Sequence, residues 1–248
     1  MTPHFDMDAI GSYLRRTGFD TFEPKAVLFD MDGVLIDSMG NHAKAWHEAM
    51  RTFGIDMTQH DAYMTEGQRG IDTIRQMVRQ QRGEEISEQE AQSMYDEKAR
   101  LFHLMPTAPL MPGIITLMES IRQAGMLICV VTGSGQRKLI NRLTTDFNGF
   151  ITSDMIITAY DVKRGKPYPD PYLQGMTKCS TQPWETIVVE NAPLGVRAAV
   201  EAKAFTVAVN TGPLDDRMLI REGADALFHS IDELNENFKE IIKNKTLL

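Results

Sequence analysis

The chain has 248 residues, 42% hydrophobic and 24% charged, which excludes fibrous and natively disordered classes and suits one or two globular domains. Its formal net charge of -8 argues against a nucleic-acid or anionic-membrane partner, so an anionic ligand would need a local positive site. Two cysteines, Cys129 and Cys179, cannot build a disulfide framework and fit a reducing compartment.

The elements follow in chain order. The opening "MTPHFDMDAI" carries acids where a secretory leader needs a basic segment and an apolar run, and no later stretch approaches the ~20 apolar residues of a membrane span. A cytoplasmic protein, monomeric or weakly oligomeric, is therefore expected. Residues 1–24 read as an N-terminal extension in which "AIGSYLRR" forms a short helix. "KAVLFD" (25–30) is a buried strand. Met39, Ala43, Trp46, Met50 and Phe53 then follow helical spacing up to Gly54, and Ser87-Glu88-Gln89-Glu90 is a capping-box pattern opening a further helix. Residues 39–107 thus read as a helical cap, left through the proline-rich "MPTAPLMPG" and placed to act as a lid. "MLICVVTG" (126–133), "MIITA" (155–159), "TIVVEN" (186–191) and "AFTVAVN" (204–210) are further β-branched runs separated by helical patterns. Such runs lack apolar/polar alternation, as strands covered on both faces do, and the order predicts a doubly wound parallel α/β core over 25–38 and 108–248.

"FDMD" occurs twice, at 5–8 and 29–32. The first copy has no strand beneath it, so Asp6 and Asp8 read as capping or solvated acids. The second is delivered by "KAVLF" to the carboxyl end of a strand, where open α/β sheets bind ligands, and Gly33 permits a sharp turn. Residues i and i+2 of an extended segment point the same way, so Asp30 and Asp32 can face one small volume. Their mutual repulsion calls for a cation or a shared proton. Magnesium with oxygen ligands and a phosphate suits such a pair, one aspartate attacking phosphorus while the other moves protons.

"FDMDGVLIDS" resembles the first motif of the haloacid dehalogenase-like phosphotransferases, in particular their β-phosphoglucomutase-like subfamily, and the resemblance runs from about Lys25 onward. "VVTGSG" resembles the second motif, with Thr132 as phosphoryl-binding residue and Gly133 and Ser134 beside it. "KRGKPYPDPY" resembles the third, with Lys166 as balancing cation, and "VVENAPLGVRAA" the fourth, with Glu190 and Asn191 at the metal. The resemblance implies a Rossmann-like core, a helical cap, Mg2+ and an aspartyl-phosphate on Asp30. Asp30, Asp32, Thr132 and Lys166 are then the catalytic candidates.

Other readings of single residues are plainer. Thr132 and Ser134 could cap the following helix, and Lys166 alone could be a solvated loop lysine. His42 and His47, five apart, make a poor zinc pair and suit a hinge or surface position. His42 and Arg69 are nonetheless carried as substrate-binding candidates.

The sequence departs from the family pattern at two positions. Relatives of this type carry Glu-Asp in the fourth motif, whereas Glu190-Asn191 stands here, removing one negative charge from the metal site. In the cap, "MTEGQRG" puts Glu66 where β-phosphoglucomutases have a lysine. Glu66 is therefore expected to reach the metal when the cap closes, restoring the lost charge. The combination resembles an inorganic pyrophosphatase branch, making pyrophosphate the first expected substrate and another small phosphorylated compound the second. The alternatives are a β-phosphoglucomutase or a sugar-phosphate phosphatase. A dinucleotide-binding oxidoreductase is disfavoured because Lys138 stands where "GSGQRK" would need its third glycine. A catalytically dead phosphate-binding module, suggested by Asn191, fits poorly with the presence of Asp30, Asp32, Thr132 and Lys166 together.

Overall fold

The β-branched runs form strands because helices cover both of their faces. In the computed structural model, which describes residues 8–135 and 137–243, the strands are β1 (Ala26–Phe29), β2 (Leu127–Val131), β3 (Ile156–Ile157), β4 (Thr186–Glu190), β5 (Phe205–Val209) and β6 (Ala226–Phe228). They make a six-stranded sheet in the order β3-β2-β1-β4-β5-β6, every neighbouring pair parallel. Side chains alternate between the faces. Val27 and Phe29 join one apolar layer with Ile128, Val130 and Val189, while Leu28 joins the opposite layer with Cys129, Val131 and Val188. This is the expected doubly wound, Rossmann-like α/β fold. The chain builds outward from β1 to β3 and then returns to β4 on the other side of β1, so the carboxyl ends of β1 and β4 flank the point where the winding reverses.

The N-terminal helix α1 (Ala9–Thr17) is part of this core rather than a detached extension. Ile10, Tyr13 and Leu14 share one face and are buried. The Tyr13 ring meets Phe22 and Phe205 edge-on at 5.5 Å each, and its hydroxyl donates to the Lys203 carbonyl at 2.9 Å. Arg16 clamps Asp225 with two bonds of 2.8 Å. Of the first "FDMD", Asp6 lies outside the described residues. Asp8 stands at the N-cap without a side-chain capping bond and pairs instead with Arg15, both exposed, a contact worth little.

The inserted helices are α2 (Met39–Thr52), α3 (Gln59–Met64), α4 (Gly70–Arg82) and α5 (Glu88–His103). Ala43, Trp46 and Met50 pack against Ile74, Met77 and Val78 of α4 and Ala91 and Met94 of α5, a core of its own apart from the sheet layers. Ser87 and Glu90 make the reciprocal capping box that opens α5. The two connections to the core run side by side, bridged between Ile36 and Leu110 and by the Asp37 amide donating to the Pro109 carbonyl.

Beyond the cap, α6 (Ile114–Gln123) and α7 (Arg137–Asp146) cover the first face of the sheet. Helices α8 (Asp170–Cys179) and α9 (Pro193–Glu201) cover the second. The chain finishes with α10 (Asp216–Arg221) near β6 and with α11 (Ile231–Lys243) on the first face. Among the described residues no helix is long and apolar enough to cross a membrane.

Replacing Tyr13 by alanine should cost about 3–5 kcal/mol, the usual range for deleting a buried aromatic ring. The urea midpoint of unfolding should fall accordingly, while ligand affinity at the far, carboxyl edge of the sheet stays as in the parent. A loss of less than about 1 kcal/mol in unfolding free energy would show that α1 is dispensable for the core.

Candidate active site

The chain leaves β1 into a tight turn, Asp30-Met31-Asp32-Gly33. Gly33 adopts φ 87°, and a Cβ there would lie 2.1 Å from the Asn191 side-chain nitrogen. Glycine is therefore required on both conformational and steric grounds. The turn buries Asp30 and Asp32 at the carboxyl edge of the sheet, beside Thr132 after β2 and Glu190 and Asn191 at the end of β4.

Lys166, from the loop between β3 and α8, reaches into this group and is itself buried. Its Nζ donates to Asp30 Oδ1 at 2.5 Å, Glu190 Oε1 at 2.6 Å and the Val131 carbonyl at 3.2 Å, which uses all three ammonium hydrogens. Burial alone would lower the lysine pKa, but the Asp30 and Glu190 carboxylates outweigh it and hold Lys166 above its ordinary value. Asp30 is pushed up to about 7 by burial, with the Glu190 and Asp32 carboxylates adding to the shift and Lys166 opposing it. Its second oxygen, Oδ2, is buried with no hydrogen-bond partner.

Glu190, expected at the metal, has four donors of the protein around its carboxylate. Oε1 accepts from Lys166 and from the Tyr172 hydroxyl, both at 2.6 Å, and Oε2 accepts from the Asn191 and Ala192 amides at 2.9 and 3.2 Å. Both oxygens are committed to holding Lys166 and the turn after β4. Asn191 differs, since its Oδ1 is buried and unpartnered.

Asp32 ties the core to the cap. Its Oδ1 accepts from the Ser38 hydroxyl at 2.5 Å and lies 3.1 Å from His42 Nε2 on α2, while His42 Nδ1 sits 2.7 Å from Lys98 Nζ on α5. The imidazole stacks on Phe102 at 4.1 Å, and the Lys98 ammonium lies 4.9 Å from the centre of the Trp46 ring. His42 is therefore a buried bridge and not a hinge or surface residue. His47 is unrelated to it, its Nδ1 facing the Met57 carbonyl at 2.8 Å. Burial opposes ionisation of Asp32, but His42, the Ser38 bond and Lys98 prevail and hold it below the usual carboxylate range. Burial lowers Lys98 to about 8, against the pull of Glu66 and Asp32.

The cap covers the site. Asp32, Gly133 and Ser134 from the core and His42, Thr65, Glu66 and Lys98 from the cap enclose a cavity of about 30 Å³, room for two or three waters. Thr132 Oγ1 accepts from the Ser134 amide at 3.0 Å, which shapes the loop after β2. Glu66 is held well above the ordinary carboxylate range by burial and by the Asp32 and Asp30 carboxylates, with Lys98 partly compensating. Arg69 is drawn elsewhere. Its guanidinium makes two bonds to Asp72, at 2.6 and 3.1 Å, and the residue is not part of the cavity wall, so its expected substrate contact gives way to a local ion pair.

Three residues escaped the sequence reading. Lys98 follows Ala91 and Met94 on the apolar stripe of α5, and a lysine on such a stripe needs a buried partner. Tyr172 and Ser38 both lie inside quoted motifs, where only their better-known neighbours had been given roles.

A phosphoryl-transfer site on a capped Rossmann-like core is what these contacts describe: a buried acid pair, a fixed ammonium and a hydroxyl loop on adjacent strand ends. Residues 27–209 match the model of the haloacid dehalogenase-like hydrolases, and the chain belongs to that family. It is 30% identical over 214 residues to hexitol phosphatase A of Escherichia coli (strain K12), covering 85% of this chain and 93% of that one. It is 31% identical over 212 residues to validoxylamine A 7'-phosphate phosphatase of Streptomyces hygroscopicus subsp. limoneus, covering 85% and 95%. Among solved structures it is similar to one named "Putative beta-phosphoglucomutase" from Bacteroides vulgatus, with 45% identity, a TM-score of 0.91 and 96% of each chain covered.

Replacing Tyr172 by phenylalanine removes a hydroxyl that donates to a buried carboxylate, a bond worth about 1.5–3 kcal/mol. Thermal stability should fall by that amount. Phosphate-releasing activity should fall as well, because Glu190 then holds Lys166 less firmly. An unchanged melting temperature would show that the hydroxyl is dispensable.

Proposed function

We propose that this chain is a magnesium-dependent phosphohydrolase in which Asp30 takes up the phosphoryl group. The observation that carries this reading is the asymmetry of Asp30. Lys166 fixes one oxygen at 2.5 Å, and the other is buried with no partner of its own. A carboxylate held this way has one oriented oxygen available for attack on phosphorus. Lys166 balances the charge of the pair, and the Thr132 hydroxyl and the Gly133 amide lie at the adjoining strand end to receive phosphoryl oxygens. Asp32, anchored through Oδ1 by Ser38 and His42, in its protonated form hands its proton to the leaving oxygen and regains one from the water that hydrolyses the aspartyl-phosphate.

The oxygen set suits a hard cation. Asn191 Oδ1 is buried without a partner near the turn that holds Asp30, and Asp32 and Glu66 bring carboxylates to the cavity under the cap. Among the described residues no three acidic, imidazole or thiol side chains form a ready-made cage, so the Asn191 amide, water and substrate oxygens would complete the shell, as is usual for magnesium. Asp30, Asp32 and Asn191 would hold the ion, with Glu66 joining from the cap. When bound, it supplies neutralisation of charge on the phosphoryl oxygens.

For the substrate, the named activities of the relatives favour a sugar or polyol phosphate over pyrophosphate, and we take that class first. Pyrophosphate stands second on a separate observation. The cavity beneath the cap is small, and Glu66 faces it beside Lys98, which suits a compact substrate that brings its own cation.

A phosphate-release panel with magnesium, covering hexitol and hexose phosphates, pyrophosphate and β-glucose 1-phosphate, distinguishes these readings. Conversion of β-glucose 1-phosphate without phosphate release would mark a mutase. Asp30→Asn should lower turnover about a thousandfold or more on every substrate, and parental turnover in that variant would remove the nucleophile assignment. Glu66→Ala should weaken the magnesium requirement curve about tenfold or more. An unchanged curve would return Glu66 to the role of a plain cavity acid.

A further inference from the structure

The closed cap rests on the core at three glycines, each on a different loop. A Cβ built at Gly133, after β2, would lie 2.4 Å from the Gly67 carbonyl oxygen. One at Gly165, before Lys166, would lie 2.7 Å from Arg69 Cγ, and one at Gly212, after β5, 3.0 Å from the Tyr63 ring. Tyr63, Gly67 and Arg69 belong to one continuous cap segment joining α3 to α4, and Glu66 is the residue it sends into the cavity. Gly67 is fitted in the same way, since a Cβ there would lie 2.8 Å from Lys166 Cδ.

We propose that Gly133, Gly165 and Gly212 form a seat for cap residues 63–69. The seat sets how deeply Glu66 enters the site and thereby limits the size of the leaving group. The size limit rests on the phosphohydrolase reading above; the seat itself does not.

The three positions differ in what opposes them. At Gly133 the opponent is backbone, which no rotamer change can move aside, so an added methyl holds the cap back by about 1 Å before ordinary contact is restored. At Gly165 the opponent is the stem of a long side chain, and at Gly212 a ring edge already near the tolerable limit. Effects should therefore fall in the order Gly133→Ala, Gly165→Ala, Gly212→Ala. None of the three glycines has a positive φ, so alanine brings no backbone strain, and the clash exists only when the cap is down. Gly40→Ala, on α2 with nothing within 4 Å, is the control.

Two measurements on the full chain test the idea. Hydrogen exchange with magnesium and orthophosphate present should show amides of residues 63–69 protected in the parent and in Gly40→Ala but faster in Gly133→Ala, with sheet amides equal in all. Unprotected 63–69 amides in the parent, or equal protection in Gly133→Ala, overturn the seat. Turnover should then show kcat/KM for pyrophosphate falling about tenfold or more in Gly133→Ala while that for glucose 6-phosphate falls less or rises, since a displacement near 1 Å is costly where closure is tight. An equal fall on both substrates overturns the size limit, as does no change on either. A parent inactive on every phosphorylated substrate removes the phosphohydrolase reading and the size limit with it, while the exchange result still decides the seat.

Discussion

The site depends on one buried ammonium. Lys166 sits among Asp30, Glu190 and the Val131 carbonyl with no hydrogen left over, and desolvating such a group costs several kcal/mol unless every partner is in place. Strand order supplies the partners. Because β1 lies between β2 and β4, the ends of all three strands converge on one ammonium. Helix packing completes the arrangement. Tyr172 on α8 donates to Glu190, and Gly195 on α9 is needed because a Cβ there would lie 1.7 Å from the same Glu190 oxygen. The residue that orients Asp30 is thus held by both helices of the second face, and catalytic geometry and core packing cannot be varied separately.

Asp32 does for the cap what Lys166 does for the core. Through Ser38 in the connecting segment, His42 on α2 and Lys98 on α5, one carboxylate oxygen is linked to the two helices that form the base of the insertion. Lys98 is surrounded by Trp46, Tyr95 and Phe102, so its charge is met by ring faces and by acids rather than by water. Any movement of the cap must carry His42 and Lys98 with it and change the electrostatic surroundings of Asp32. Cap position and the ionisation of Asp32 are coupled through contacts of about 3 Å, without a long pathway.

Much of this was legible in the sequence, for identifiable reasons. The central strands are covered on both faces, so their apolar runs are continuous. Gly33 and the i, i+2 acids mark a strand end unambiguously. Strand β6, three residues long, and the helices beside it carry too little pattern to stand out before the neighbours that bury them are known. For Glu190, an acid in a metal-site motif invites the role of ligand, and the four donors around its oxygens come from tertiary contacts that the motif does not show. His42 and Arg69 took partners that spacing alone does not reveal, His42 deep ones across the cap while still lining the cavity, Arg69 a near neighbour in Asp72. Residue type and spacing limit what a side chain can do. Which partner it finds is settled by tertiary contacts.

The charge inventory of the closed site bears on its ligand. Asp30, Asp32, Glu66 and Glu190 are gathered against two ammoniums, Lys166 and Lys98, and burial, with the neighbouring carboxylates adding to it, raises Asp30 despite Lys166 and Glu66 despite Lys98. An apolar lid residue in place of Glu66 would avoid that cost, so the acid gains stability only if closure brings it to a positive partner. Asn191 points the same way, since an amide in place of a carboxylate lessens the repulsion that Glu66 must meet. On the proposed magnesium reading, such a site would bind the cation most tightly with the cap down, and a cap closing on it would tie the commitment to react to the fit of the leaving group beneath it.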